Sequence, residues 1–208
     1  MRKILIAAWL LCGVSAWAEG IEFWALGGET LMSNGGLGTE ECQPGTTTAL
    51  CQSIGGTSND VALTDGWHFG FRGGFNSGEH LGYEVGYMYN RTNLKYNDLG
   101  GAEQGMAYHQ VAFNGLYYLT GADSKVRPFG TAGVGFTNYA PPGTSAAYGG
   151  GSTKLGFNYG GGVKIRLTSR WALRFDARQA TTPKPLGLVL ASGWLRETEL
   201  SAGFGILF

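Results

Sequence analysis

Charge is scarce in this 208-residue chain: 14% of its residues are Asp, Glu, Lys or Arg, where about 25% is ordinary. Acidic and basic residues number 15 each, so no basic surplus points to a nucleic-acid partner. Proline is scarce too. With six prolines beside 37 glycines, collagen is excluded, because it needs glycine at every third position and abundant proline. Three cysteines and three histidines form no spacing that would hold a structural or catalytic metal. Beyond the N-terminus, glycine or charge interrupts every apolar run well before the roughly 18 residues a membrane helix needs. Aromatic rings, by contrast, are plentiful: 6 Trp, 10 Tyr and 11 Phe in a chain that is 43% hydrophobic. That composition excludes disorder despite the glycine. A membrane contact, if there is one, must be made by strands.

The first residues read as an export signal. Arg2 and Lys3 precede a short apolar run from Ile4 to Val14, and Ala16-Trp17-Ala18 has the A-x-A form of a cleavage site. The run is too short for a membrane anchor. Leu11 before Cys12 does not suit lipidation of that cysteine. The expected organisation is a signal peptide over 1–18 and one domain over 19–208, whose net charge without Arg2 and Lys3 is −2.

From residue 67 the pattern has period two. Trp67, Phe69, Phe71 and Phe75 alternate with His68, Gly70, Arg72 and Gly74. Leu81, Tyr83, Val85, Tyr87 and Tyr89 alternate with Gly82, Glu84, Gly86, Met88 and Asn90. The same holds from Leu155 to Leu167, from Trp171 to Arg178 and from Glu199 to Phe208. Successive strand side chains point to opposite faces, so each segment has one apolar face and one small or polar face. Segments 21–28, 106–119 and 126–137 are less clean: Trp24 and Leu26 spoil the first, and the facing of the third is ambiguous. Pro128 must sit near the start of its strand, because it cannot donate to a ladder. The count is eight strands of roughly ten residues, the length that crosses a bilayer when tilted.

The expected connections are 30–66, 76–79, 91–105, 120–125, 138–153, 168–170 and 180–194, long and short in alternation. Membrane barrels sort their loops this way, with short periplasmic turns and long extracellular loops, whereas a soluble β-sandwich has no reason to. The more polar face carries Arg72, Glu84, Lys164, Arg166, Arg174, Asp176, Arg178, Glu197 and Glu199. Facing lipid, each basic residue near the midplane would cost about 2–4 kcal/mol. Facing a narrow lumen, the charges can pair, and eight strands leave an interior just wide enough for side chains to fill. Arg174 and Arg178 lie one strand before Glu197 and Glu199, and antiparallel pairing would set them opposite. Many glycines share this polar parity, among them Gly86, Gly156, Gly203 and Gly205, and would make room in the lumen.

Val126-Arg127-Pro128-Phe129, Phe157-Asn158-Tyr159-Gly160-Gly161-Gly162-Val163, Trp171 to Arg178 and the ending Phe204-Gly205-Ile206-Leu207-Phe208 resemble the small outer-membrane β-barrels related to the OmpA transmembrane domain and OmpX. The resemblance implies an all-β fold, an eight-stranded antiparallel up-and-down transmembrane β-barrel, in the outer membrane of a Gram-negative-type bacterium. It also implies that Phe204, Ile206 and Phe208 form the signal read by the barrel-assembly machinery. The expected partners are that machinery, outer-membrane lipids and an extracellular ligand held by the loops. No cofactor is expected, and a monomer is. No peptidoglycan-binding domain is expected after the barrel, so no tethering role is expected either.

Cys42 and Cys51 are expected to form a disulfide in the first long loop, given an oxidising compartment. His68 and His109 fall near the outer strand ends and His80 at a turn. No serine lies two residues from any of them and no strand-borne serine stands out as a partner, so no catalytic residue is assigned. The apolar stretch Leu186-Gly187-Leu188-Val189-Leu190 forms a structural lip or the entrance for a small hydrophobic ligand. The expected function is structural or interactive, with the lumen plugged by charge. A narrow channel comes second and a lipid-modifying enzyme third.

Overall fold

The structure, a computed structural model, describes residues 20–40, 59–97, 101–141, 143, 151–186 and 193–208. The leader, Cys42, Cys51 and residues 187–190 lie outside them. Among the described residues ten strands follow in order: β1 Gly20–Asn34, β2 Gly36–Glu40, β3 Asn59–Leu63, β4 Gly66–Ser77, β5 Leu81–Tyr96, β6 Ala102–Tyr118, β7 Val126–Ala140, β8 Ser152–Arg166, β9 Trp171–Pro183 and β10 Trp194–Leu207. β1 pairs with both β4 and β10, and β5 pairs with β6, so the sheet closes on itself. The wall is eight antiparallel strands. β2 and β3 pair with each other and β3 pairs with β5, so this hairpin prolongs β1 and β4 beyond the wall.

The strands are longer than their apolar rhythm suggested. The connection expected at 91–105 shrinks to 97–101, because β5 and β6 stay paired up to Tyr96 and Ala102. It is thus shorter than the turn 119–125 at the opposite end, and the expected alternation of long and short connections fails here. The first connection likewise holds β2 and β3 instead of an irregular loop from residue 30 to 66.

The reason is a change of polarity, not of structure. Through most of the barrel the outward parity is aromatic: Phe23, Phe69, Phe71, Tyr83, Phe113, Phe136, Phe157, Phe175 and Phe204 are all exposed. The inward parity is polar. Above Asn90 the inward residues Leu94 and Tyr96 are apolar and buried, while Arg91 on the outside is exposed. They join Leu37, Val61, Leu63, Met106, Tyr108, Tyr139 and Leu195 in a cluster that fills the interior of this end. The backbone alternation is unbroken, but the apolar set moves from outside to inside, as it must where the solvent changes from lipid to water.

Two ambiguous segments resolve simply. Trp24 and Leu26 point inward with Glu22. In β7, Arg127, Phe129, Thr131, Thr137 and Tyr139 are buried, while Val126, Val134 and Phe136 face out. The lumen needs its glycines: a Cβ on Gly205 would lie 2.4 Å from the Trp24 ring, and one on Gly86 would lie 2.9 Å from Arg72 Cγ.

Candidate functional site

The lumen is filled in layers. At the end holding the short turns and both described termini, Lys164 Nζ bonds Glu22 Oε2, and also Tyr118 Oη at 2.6 Å. Trp24 Nε1 and Asn76 Nδ2 donate to the two Glu22 oxygens at 3.0 and 2.8 Å. The Arg127 guanidinium lies 3.8 Å over the Tyr118 ring. Aromatic rings and one ion pair therefore meet across the lower mouth.

Above them sits a network of three guanidinium groups and three carboxylates. Arg174, Asp176 and Arg178 share one face of β9 because they are two residues apart. Arg174 reaches Glu84 at 2.5 Å and Asp176 at 2.6 Å. Arg178 reaches Glu84 at 2.9 Å and Asp176 at 3.4 Å. Arg72 reaches Asp176 at 2.9 Å, Glu84 at 3.8 Å and Glu199 at 3.7 Å. Four strands, β4, β5, β9 and β10, are tied across the lumen, and charge balances within the cluster.

Next comes a belt of hydrogen bonds. Ser201 Oγ is 2.9 Å from His68 Nε2, and His68 Nδ1 is 2.9 Å from Thr30 Oγ1. Thr30 donates to Asn90 Oδ1 at 2.9 Å, Asn90 Nδ2 donates to Gln110 Oε1 at 3.1 Å, and Gln110 Nε2 donates to Glu197 Oε1. Tyr108 donates to the other Glu197 oxygen at 2.5 Å. The chain has one direction. Gln110 donates to Glu197, Asn90 to Gln110 and the Thr30 hydroxyl to Asn90, so each group's donor is spoken for in turn. Thr30 has no second proton for His68, so the neutral ring carries its proton on Nδ1, donating to Thr30, and its Nε2 accepts a hydrogen bond from the Ser201 hydroxyl. The apolar cluster around Leu94 caps the belt.

Beside the network lies a cavity of about 40 Å³ whose lining includes Gln110, Asn114, Thr137, Asn158, Arg178 and Glu199. Asn114 Oδ1, Asn158 Oδ1 and Glu199 Oε1 are buried there without a protein partner. The space suits about three waters, at roughly 10–15 Å³ each.

The Outer membrane protein beta-barrel domain family matches residues 4–208. The chain belongs to this family. The outer membrane protein OprG of Pseudomonas aeruginosa is similar in structure, with a TM-score of 0.63 at 12% identity over 92% of this chain and 97% of that one. Neisserial surface protein A is similar at 0.53 and 16% identity, over 90% and 95%. At such identities the likeness is one of fold. No curated protein matches the sequence.

In this outer-membrane barrel, Arg72, Glu84, Arg174, Asp176, Arg178 and Glu199 meet as one cluster, whereas three expected members do not join it. Lys164 pairs instead with Glu22. Arg166 lies at the lower mouth, where its Nη2 donates to Ala122 O at 2.8 Å. Glu197 is held by Tyr108 and Gln110. The expected strand-to-strand pairing holds only in register: Glu199 is opposite Arg178, but Arg174 is opposite Gly203, and both arginines reach across the lumen to β5. Ser201, which proximity in sequence did not single out, meets His68 because β10 and β4 both flank β1. Phe204 and Phe208 are exposed on the outward face, where Phe204 stacks on Trp171 at 4.8 Å, and Ile206 shares that parity. Leu186 packs against the cap; the rest of its apolar stretch, 187–190, lies outside the described residues.

Proposed function

We propose that this outer-membrane barrel is closed to solutes and acts structurally or through its extracellular loops. The observation that carries this reading is the filled lumen: the rings and ion pair across the lower mouth, the balanced Arg72–Glu84–Asp176–Arg174–Arg178–Glu199 network and the Leu94 cap lie in series. A solute would have to break buried ion pairs and then displace packed side chains. Recordings of the refolded barrel in a planar bilayer test it. No stable conductance step is expected, and a reproducible open level would refute the plug.

The narrow-channel reading draws on the polar cavity beside Arg178, which would have to widen well beyond a few waters. The enzyme reading would rest on Ser201 and His68, a hydroxyl and a ring nitrogen in base-to-nucleophile geometry. Both are buried under the cap, and a threonine, not a carboxylate, meets the other nitrogen. In the proposed life of the chain, the leader 1–18 is removed on export. Cys42 and Cys51 pair in the oxidising space, the terminal strand engages the assembly machinery, and the barrel stands in lipid as a monomer.

A further inference from the structure

At the level where the outward face turns from aromatic to polar, β4, β5 and β6 carry a compact patch. Phe69, Tyr89 and His109 lie in one row, and Trp67, Arg91 and Ala107 in the next row outward. The Phe69 and Tyr89 rings are 5.3 Å apart, Tyr89 and His109 are 5.3 Å apart edge to face, and Trp67 lies 5.9 Å from Tyr89. Tyr87 Oη is 2.7 Å from His109 Nδ1. Beyond the patch the outward residues of β5 are Asn93 and Lys95.

Arg91 is the cation of this patch. It takes part in none of the ion pairs among the described residues. Trp67 stands between it and Glu29 of β1. Asn93 Nδ2 donates to Glu103, the nearby carboxylate of β6, at 2.8 Å. Its guanidinium lies over Gly105: a Cβ there would come 2.3 Å from Arg91 Nη2. The missing side chain on β6 thus gives the guanidinium a shelf at the rim of the aromatic surface.

We propose that Arg91 binds the phosphate of a phosphorylated glycolipid in the outer leaflet, while Trp67, Phe69 and Tyr89 take its apolar part. The proposal rests on the outer-membrane reading and on the short turns facing the periplasm. An exposed guanidinium with free donors is complementary to phosphate, and the bond is charge-assisted. Trp and Tyr at this depth sit where headgroups meet acyl chains.

The test uses the refolded full barrel in detergent, with its fold checked separately by the heat-modifiable gel shift. Bisphosphorylated lipid A, its dephosphorylated form, phosphatidylglycerol and inorganic phosphate are titrated, and retention is read by native mass spectrometry. The wild type should retain the phosphorylated glycolipid about tenfold better than the dephosphorylated one. Arg91→Gln should abolish that preference. Gly105→Leu, which keeps every charge and only displaces the guanidinium, should weaken it, and Arg91→Lys should keep part of it. Equal retention of the two glycolipids by the wild type overturns the site, whichever variants fold. So does a preference unchanged in Arg91→Gln, or equal capture of phosphatidylglycerol, or competition by inorganic phosphate alone. Loss of the gel shift in the wild type would instead count against the barrel reading.

Discussion

Replacing Glu84 by glutamine should weaken the barrel by about 3–5 kcal/mol, the cost of breaking a buried ion pair from one side. Glu84 accepts from Arg174 at 2.5 Å and from Arg178 at 2.9 Å, and lies 3.8 Å from Arg72. Glutamine keeps the shape but removes the charge, and its NH2 must face a guanidinium. Three buried cations are then left with Asp176 and Glu199. Removing Arg178 as well, as Glu84→Gln/Arg178→Gln, restores two against two. If the six groups act as one network, the double variant should recover about 0.5–3 kcal/mol relative to the sum of the singles. Urea unfolding of the lipid-inserted barrel, read by the gel shift and by tryptophan emission, measures both quantities. A Glu84→Gln cost of no more than about 1 kcal/mol, the value of an exposed pair, would refute the reasoning. So would strict additivity of the two substitutions.

Gly205→Ala should cost about 1–3 kcal/mol by overpacking, because its Cβ would meet the rigid Trp24 ring at 2.4 Å. Urea midpoints compared with Gly130→Ala, where a Cβ meets nothing within 4 Å, isolate that effect. Nitrogen NMR should find His68 protonated on Nδ1 in its neutral form, and a proton on Nε2 instead would break the one-way hydrogen-bond belt. Thiol titration of the exported protein should find no free cysteine if Cys42 and Cys51 are paired, whereas two free thiols would exclude the pair. N-terminal analysis of the same sample should begin at Glu19.

Period two makes the eight strands of the wall and the lumen charges readable, because lipid outside and a tight interior sort residues strictly by parity. Gly86, Gly205 and Arg174 take the inward parity that alternation alone assigns to them. Partner choice was not readable. Arg174 finds Glu84 90 residues away through the stagger of the closed sheet, which no local spacing encodes. Nor was Glu22 evident as the partner of Lys164, since Trp24 and Leu26 beside it blurred the alternation. The outer strand ends were missed because Leu94 and Tyr96 put their apolar groups on the opposite parity from Tyr87 and Tyr89. An eye following one apolar face loses the strand where that face changes sides.

The Leu94 cap also changes how the loops are carried. β5 runs on from Arg91 to Tyr96 beyond the aromatic surface, and at about 3.3 Å per residue with a barrel tilt that is a rise of roughly 12–15 Å. This part of the wall has a dry core of its own and a wetted exterior, so it is a rigid pedestal. The connections that leave it start from paired strand ends beyond the aromatic surface. A partner arriving from outside would meet segments whose ends are already ordered, and binding would need less ordering of the chain than loops rising directly from the bilayer would demand.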